Sequence, residues 1–476
     1  MSIKTPEEYI KSVQDDRVVY CRGERVKDVT THPLLKRCTQ MVAQDYKIAQ
    51  DPKYKKLVIA KNEDGDLVSF CFLPPKSKND LLRRREIIQT LGRVFNGSPG
   101  GAKLTGIDGL NGLGVACQRI DKMKGTNYAE RVASYRKYLQ KIDAAVALAM
   151  TDVKGDRSAR PSKQEAHKDY YVHIVDENKD GIVVRGAKMH ISFAPAANEM
   201  IVLPCRAMSQ DDKDYAVSFA LPMNTKGVTI IAQGPEKEEG DFFNHPLGAG
   251  SYQADAVVVF DDVFVPNDRV FLKREWEFSV LQTYMFANFH RVTADAYKYV
   301  LLELTVGAAA LLAEYNGIEK YSHVRDKLAW LVMYAEATDA LGRAACENCV
   351  KEEDTDLVYP NPMLSNMAKL WFAEYAHEAV KRVQDIGGGI MATIPHSQDF
   401  INPVTGPLLD KYLGGKAGVP TDHRMRVINM ARDLSDSYEL VASIHAEGSL
   451  AAQQMSIHAL ADFERYKAAA RRAAGI

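Results

Sequence analysis

The sequence predicts an α+β protein in three consecutive parts: an N-terminal helical domain, a middle antiparallel β domain and a C-terminal helical bundle. Three observations predict it. Long stretches before residue 142 and after residue 278 repeat their apolar residues at the helical period. Between them the pattern changes to short runs rich in Val, Ile and aromatics, separated by Gly, Pro and Asn-Asp clusters. At 476 residues the chain is also too long for one compact core. The expected boundaries are 1–142, 143–277 and 278–476.

In the first part, "THPLLKRCTQMVAQDYKIAQD" has helical spacing, with Thr31 as N-cap before Pro33. "YAERVASYRKYLQKIDAAVALAM" is a second amphipathic helix. The middle part contributes strands at "DYYVHIV", "GIVVRGAKMHIS", "EMIVLPCRAM", "YAVSFALP", "VTIIAQ" and "DAVVVFDDVFVP". The last part opens with the very long "SVLQTYMFANFHRVTADAYKYVLLELTVGAAALLAEYNG". Three further apolar-striped helices follow, the pattern of a bundle.

Charge and cysteine content narrow the setting. With 61 Lys and Arg against 62 Asp and Glu, the net charge of −1 points to no nucleic acid and no acidic membrane as partner. The seven cysteines are odd in number and irregularly spaced, as expected of reduced thiols in the cytoplasm. "MSIKTPEEYIKSVQDDR" lacks the apolar core of a secretory signal, and no run of about 18 apolar residues predicts a membrane span. Cys346 and Cys349 form C-x-x-C inside a helical pattern with no second pair, which reads as free thiols.

Four stretches are candidates for chemistry. "FANFHRVTADAYKYV" (286–300) places His290 and Tyr297 two helical turns apart on one face, flanked by Arg291 and Asp295. "AMTDVKGDR" (149–157) offers Met150, Thr151 and Asp152 to a cofactor, or is a charged surface turn. "RGAKMHIS" (185–192) puts Lys188, His190 and Ser192 on one face of an expected strand, suited to an anionic or polar cofactor or to solvent. "DIGGGIMATIP" (385–395) is an anion nest or a helix C-cap at Gly387, Gly388 and Gly389, with Thr393 beyond. It is not a Rossmann fingerprint. Asp255 sits on or beside the last strand.

Those stretches, with "THP" (31–33), "DGIVVRGAKMH" (180–190), "DKDYAVSFA" (212–220), "VVFDDVFVPNDRVFL" (258–272) and "GAAALLAEYNG" (307–317), resemble one superfamily over essentially the whole chain. It unites 4-hydroxyphenylacetate 3-hydroxylases with 4-hydroxybutyryl-CoA dehydratase, and the detail is closer to the dehydratase branch. The resemblance implies an acyl-CoA dehydrogenase-like fold, a homotetramer, and FAD held between β domain and C-terminal bundle. It makes flavin contacts of Met150, Thr151, Asp152, Lys188, His190, Ser192, Gly387, Gly388, Gly389 and Thr393.

The resemblance also marks departures. The dehydratase holds a 4Fe–4S cluster on three cysteines and a histidine. The histidine matches His290, but the cysteine positions fall at Tyr297 and near Gly100 and Leu104, with no thiolate among them. The branch's active-site tyrosine falls at Ala294, one glutamate near Ala442, and another at Asp255. The expected protein is therefore a cluster-less FAD enzyme acting on an acyl-CoA thioester or related activated acid. Its chemistry is proton abstraction coupled to flavin redox, giving dehydrogenation, reduction or double-bond isomerisation. His290 is the expected base or carbonyl partner, Asp255 a second carboxylate, Tyr297 an orienting group or proton donor, and Arg291 a holder of carboxylate or phosphate. The alternative is a two-component monooxygenase that hydroxylates a phenolic acid, with a flavin reductase or electron-transfer partner.

Overall fold

Strand structure starts earlier in the chain than composition suggests. The computed structural model describes residues 3–97, 103–237, 239–249, 252–435 and 437–476. Strands β1 (Val18–Cys21) and β2 (Glu24–Val26) form a hairpin through Arg22 and Gly23, both at positive φ, as a tight two-residue turn requires. A second hairpin pairs β3 (Ile59–Lys61) with β4 (Leu67–Ser69). Three long helices follow, Lys78–Val94, Thr105–Lys124 and Tyr128–Ile142.

The remaining strands of the two main sheets are β5 (Val146–Ala149), β6 (His173–Asn178), β7 (Gly181–Lys188), β8 (Glu199–Val202), β9 (Val217–Pro222), β10 (Val228–Ala232), β11 (Ala256–Pro266) and β12 (Val270–Lys273). They form a six-stranded sheet, β2-β1-β10-β11-β7-β6, and a four-stranded sheet, β12-β9-β8-β5. Most pairings are antiparallel, as expected. Two are parallel, β1 with β10 and β5 with β8, because β1 and β5 arrive from the helical region rather than through a hairpin. The first 142 residues therefore supply two strands of the β domain.

The sheets pack face to face. Ile182, Val184, Val258 and Phe260 meet Met200, Val202, Phe219 and Leu221 in one core. The outer face of the four-stranded sheet is covered by the Thr105–Lys124 helix, where Ile107 and Leu110 join Val146, Leu148 and Ile201. β5 and β8 are thus buried on both faces, and all four residues of each are buried.

The C-terminal bundle is built on the 37-residue helix Ser279–Tyr315, with Ser322–Glu347, Pro362–Gly387 and Thr421–Leu434 against it. This central helix, extended to Trp276, is long and apolar enough by length and composition to cross a membrane, contrary to the expectation that no stretch would be. It is instead the core helix of the molecule, and it carries Arg291, Asp295 and Lys298 buried in its middle. Arg85 holds Asp295 at 2.6 Å and Asp339 at 2.7 Å, tying three helices together.

Glycine sets how closely the N-terminal helix approaches. In "TGIDGLNG" the glycines recur every third residue. A Cβ at Gly106 would lie 2.3 Å from the Val146 carbonyl oxygen, and one at Gly112 would lie 2.6 Å from the Phe286 nitrogen. The helix is therefore wedged between β5 and the central helix, and this brings Asp108 to His290.

Candidate active site

His290 projects from the central helix with Phe286, one turn earlier, stacked on its ring at 4.9 Å and 20°. Its Nδ1 lies 3.0 Å from Asp108 Oδ2. Asp108 is fully buried, and its other oxygen accepts from Arg84 at 2.7 Å and from the Thr293 hydroxyl at 2.9 Å. Paired with Arg84, Asp108 is an ionised, acceptor-only carboxylate. The hydrogen-bond network therefore assigns the imidazole proton to Nδ1 and leaves Nε2 with a free lone pair. Among the described residues Nε2 has no hydrogen-bond partner. The arrangement is a histidine base oriented by a carboxylate.

Two turns on, the Tyr297 hydroxyl donates to Glu447 Oε1 at 2.6 Å. Lys298 pairs with Glu447 Oε2, and Lys369 stands 3.5 Å from the same oxygen. The side chains of Lys298, Lys369 and Glu447 are at most 1% exposed. Burial pushes the Glu447 carboxyl up, but the Lys298 and Lys369 charges outweigh it and hold it at about 2. Burial, with Lys298 alongside, brings the Lys369 ammonium down to about 7 against the pull of Glu447. Burial first, then the charges of Glu447, Asp255 and Asp108, raises the Tyr297 phenol well above its ordinary value.

Asp255 stands just before β11, accepting from Ser192 at 2.7 Å and from Gln253 at 3.2 Å. Asp255 is thus bonded to Ser192, as His290 is to Asp108 and Tyr297 to Glu447. Arg291 is not open to a ligand. It is 6% exposed, binds Asn366 Oδ1 at 2.7 Å and approaches the Glu447 carbonyl at 3.5 Å.

The expected face of Lys188, His190 and Ser192 does not form. β7 ends at Lys188, and His190 turns the backbone at φ +61°. Lys188 bonds Asp152 at 2.8 Å, the Met150 carbonyl at 2.9 Å and the Leu203 carbonyl at 2.8 Å, so its three donors are all engaged inside the protein. Lys188 and Asp152 serve each other. The Gly387–Gly389 run caps its helix, with Gly388 at φ +72°. Gly387 packs against Leu312, 22 residues beyond His290 (312 − 290) and about 33 Å along the central helix. Within one chain, Gly387, Gly388, Gly389 and Thr393 do not meet the His290 site.

Asp108, Arg84, Lys298, Lys369 and Glu447 escaped the sequence reading. Ala442, where a glutamate was looked for, is exposed, and the acid comes from Glu447, five residues later (447 − 442). Glu447 stands at φ +60° in the turn between Ser437–His445 and Leu450–Leu460. The cue that could have found Asp108 is the lone acid amid the evenly spaced glycines of its helix.

A two-sheet β core clasped between helical layers, with buried acid–base groups where they meet, defines the acyl-CoA dehydrogenase-like class of enzymes. Within that class the chain belongs to the 4-hydroxyphenylacetate 3-hydroxylase family. Residues 5–272 match the family's N-terminal model and 280–475 its C-terminal model. It is 33% identical to the 4-hydroxybutyryl-CoA dehydratase/vinylacetyl-CoA-Δ-isomerase of Clostridium aminobutyricum, across 100% of both chains. The structure of an oxygen-tolerant archaeal 4-hydroxybutyryl-CoA dehydratase from N. maritimus superposes with a TM-score of 0.92 at 31% identity, covering 100% of this chain and 95% of that one. The oxygenase component of 4-hydroxyphenylacetate 3-monooxygenase, solved with FAD, superposes with a TM-score of 0.89 at 27% identity, covering 98% of each.

The protein is a flavin-dependent enzyme with FAD as its cofactor. Its residues fit that group. The Thr151 hydroxyl and the His190 imidazole have no hydrogen-bond partner among the described residues, and they flank the Asp152–Lys188 bridge where Met189 N–H binds the Thr151 carbonyl at 2.9 Å. They leave a free hydroxyl and a free imidazole for a polar ring system, beside Ser192 and Asp255. The residues do not fit a 4Fe–4S cluster. Gly100 lies outside the described residues. Leu104 is a buried hydrocarbon, Tyr297 a phenol bonded to Glu447, and His290 is bound through Nδ1 to Asp108. Two of the three cysteine positions thus carry no donor a cluster iron would take.

Proposed function

We propose that the chain acts on an acyl-CoA thioester or a related activated acid, and that His290 removes a proton from the carbon beside the thioester carbonyl. The observation that carries this reading is the 3.0 Å bond from His290 Nδ1 to buried Asp108, which leaves Nε2 as the base. A thioester acidifies that carbon enough for one positioned imidazole to suffice. Tyr297, on the same helix face, is the group that orients the substrate or returns a proton, and Asp255 is the second carboxylate. FAD, when bound, would supply a hydride acceptor or donor.

Double-bond isomerisation is the reaction these residues support best. A proton taken next to the carbonyl and returned at the far end of an allylic system moves the double bond without any group leaving. Elimination of a hydroxyl needs an electrophile at the departing oxygen, and the cluster positions lack the thiolates to hold one. The name of the Clostridium relative joins both activities, dehydratase and isomerase. The test offers FAD-loaded protein vinylacetyl-CoA and 4-hydroxybutyryl-CoA under anaerobic conditions. The first is expected to rearrange and the second to remain intact, whereas dehydration of the second would overturn the reading.

A second reading, a two-component monooxygenase acting on a phenolic acid, is favoured by the Phe286 ring stacked on His290, an aromatic surface for a phenol. It would bring a separate flavin reductase as partner. A transient absorbance when the reduced holoprotein meets oxygen supports it, and direct reoxidation counts against it. Under either reading we propose a homotetramer working in the cytoplasm. In support, Cys21, Cys38, Cys71, Cys117, Cys205, Cys346 and Cys349 are free, and the C-terminal helix Phe463–Ala474 buries no residue of its own while exposing Phe463 and Tyr466.

A further inference from the structure

Glu447 reaches the site from a turn, so something must hold that turn in place. Residues 446–449 join two short helices, and Glu447 adopts a left-handed backbone that residues with side chains rarely take. The Glu447 carbonyl accepts from Gln453 at 3.3 Å and lies 3.5 Å from Arg291 Nε. The larger grip comes from the Pro362–Gly387 helix. Lys369, with a fully buried side chain, donates to the Ser443 carbonyl at 3.2 Å and to the Ile444 carbonyl at 2.6 Å, and its ammonium stands 3.5 Å from Glu447 Oε2. Ser443 and Ile444 belong to the last turn of Ser437–His445, where helix carbonyls lack intrahelical donors. One side chain therefore fastens both the helix end leading into the turn and the carboxylate that the turn presents. Lys298 holds the same carboxylate from the central helix, and Tyr297 donates to its other oxygen.

We infer that Lys369 is a positioning residue of this enzyme: it docks the 446–449 turn and, through Glu447, sets the orientation of the Tyr297 hydroxyl beside His290. The inference rests on the proposed function only in taking Tyr297 and His290 to face the substrate. Lys369 itself touches no reacting atom. Its effect on rate passes through Glu447 to Tyr297, so removing Lys369 and removing the Tyr297 hydroxyl should overlap rather than add.

The test compares holoprotein carrying Lys369→Met, Lys369→Arg, Tyr297→Phe and the Lys369→Met/Tyr297→Phe pair. Methionine keeps the length and apolar body of the side chain. Backbone hydrogen exchange, measured without substrate, is expected to speed up at least tenfold over residues 443–449 in Lys369→Met and to stay near wild type in Lys369→Arg. With vinylacetyl-CoA, Lys369→Met is expected to lower kcat at least tenfold with KM changed less than twofold. The double variant should be no slower than Tyr297→Phe alone.

Unchanged exchange in Lys369→Met overturns the docking. Rate losses that multiply in the double variant reduce Lys369 to general packing and overturn the inference. Should Lys369→Met fail to fold, Glu447→Gln replaces it in the same comparison, and equal exchange and rate to wild type there overturn the inference too. If wild type rearranges no thioester while the exchange behaves as expected, the docking stands and the functional reading falls.

Discussion

Two of the buried lysine–carboxylate pairs in this molecule do different work. Lys188 and Asp152 in the β domain are each 2% exposed along their side chains, and the lysine's other donors go to two backbone carbonyls. The pair is balanced in charge and closed. Lys298 and Glu447 are as deeply buried, but a second ammonium, Lys369, and a phenol crowd the same carboxylate, with a histidine base nearby. The first pair ties strand ends together. The second is over-supplied with cation and sits among groups that move protons. Burial of an ion pair does not mark a site; unbalanced charge beside an unpartnered base does.

The comparison can be broken by substitution. The largest effect is expected next to the second pair. Asp108→Asn offers His290 Nδ1 an amide that need not fix its proton there, and kcat should fall by about 10²–10⁴. KM and FAD content should hold, and steady-state kinetics on the proposed thioester checks this. Lys188→Met should instead act on stability. It leaves Asp152 buried and unpaired, with an expected loss of about 3–5 kcal/mol in chemical denaturation. Lys188→Met/Asp152→Leu should recover most of that loss, and kcat per folded molecule should change little in either variant. Were Lys188→Met to lose kcat without losing stability, the division between the two pairs would be wrong.

A smaller effect should come from Gly112→Ala. The added methyl meets the Phe286 backbone, so the two helices must part. The expected loss is about 1–3 kcal/mol, with kcat lowered because the bond from Asp108 to His290 stretches. The smallest effect is a pH dependence. Glu447, held at about 2 in the fold, is depressed below its ordinary value of 4.5. Its contribution is present above pH 4.5 and is lost as pH falls toward 2, because the unfolded chain then binds the extra proton. Lys369 is also depressed, from 10.5 to about 7. The unfolded state binds more protons between these values, so stability rises with pH across that window. The difference in thermal midpoint between wild type and Lys369→Met should change across pH 7 to 10.5 and be flat between pH 7 and 4.5, where Glu447 stays ionised.

The helical–β–helical order was legible because periodicity is local: the strands of the middle part and the length of the central helix follow from spacing alone. The shared face of His290 and Tyr297 was legible for the same reason. What pairs with them was not, since Asp108 lies 182 residues from His290 and Glu447 lies 150 from Tyr297. Glu447 also belongs to no periodic element. Lys298 was hidden beside Tyr297, one residue off the face being read. The shared face of Lys188, His190 and Ser192 was misread because strand alternation was carried past Lys188, where β7 ends. The β1–β2 hairpin was missed because four-residue and three-residue strands in a helical neighbourhood leave little pattern.

The most direct test of the central claim is deuterium incorporation. FAD-loaded wild type and His290→Ala, matched for folding and flavin content, are incubated anaerobically with vinylacetyl-CoA in deuterated buffer, and label at the far end of the rearranged acyl chain, where the proton is returned, is followed by mass spectrometry. The account predicts rapid incorporation by wild type and a loss of about 10²–10⁴-fold in the variant. Equal incorporation by both proteins would contradict it and remove His290 as the base.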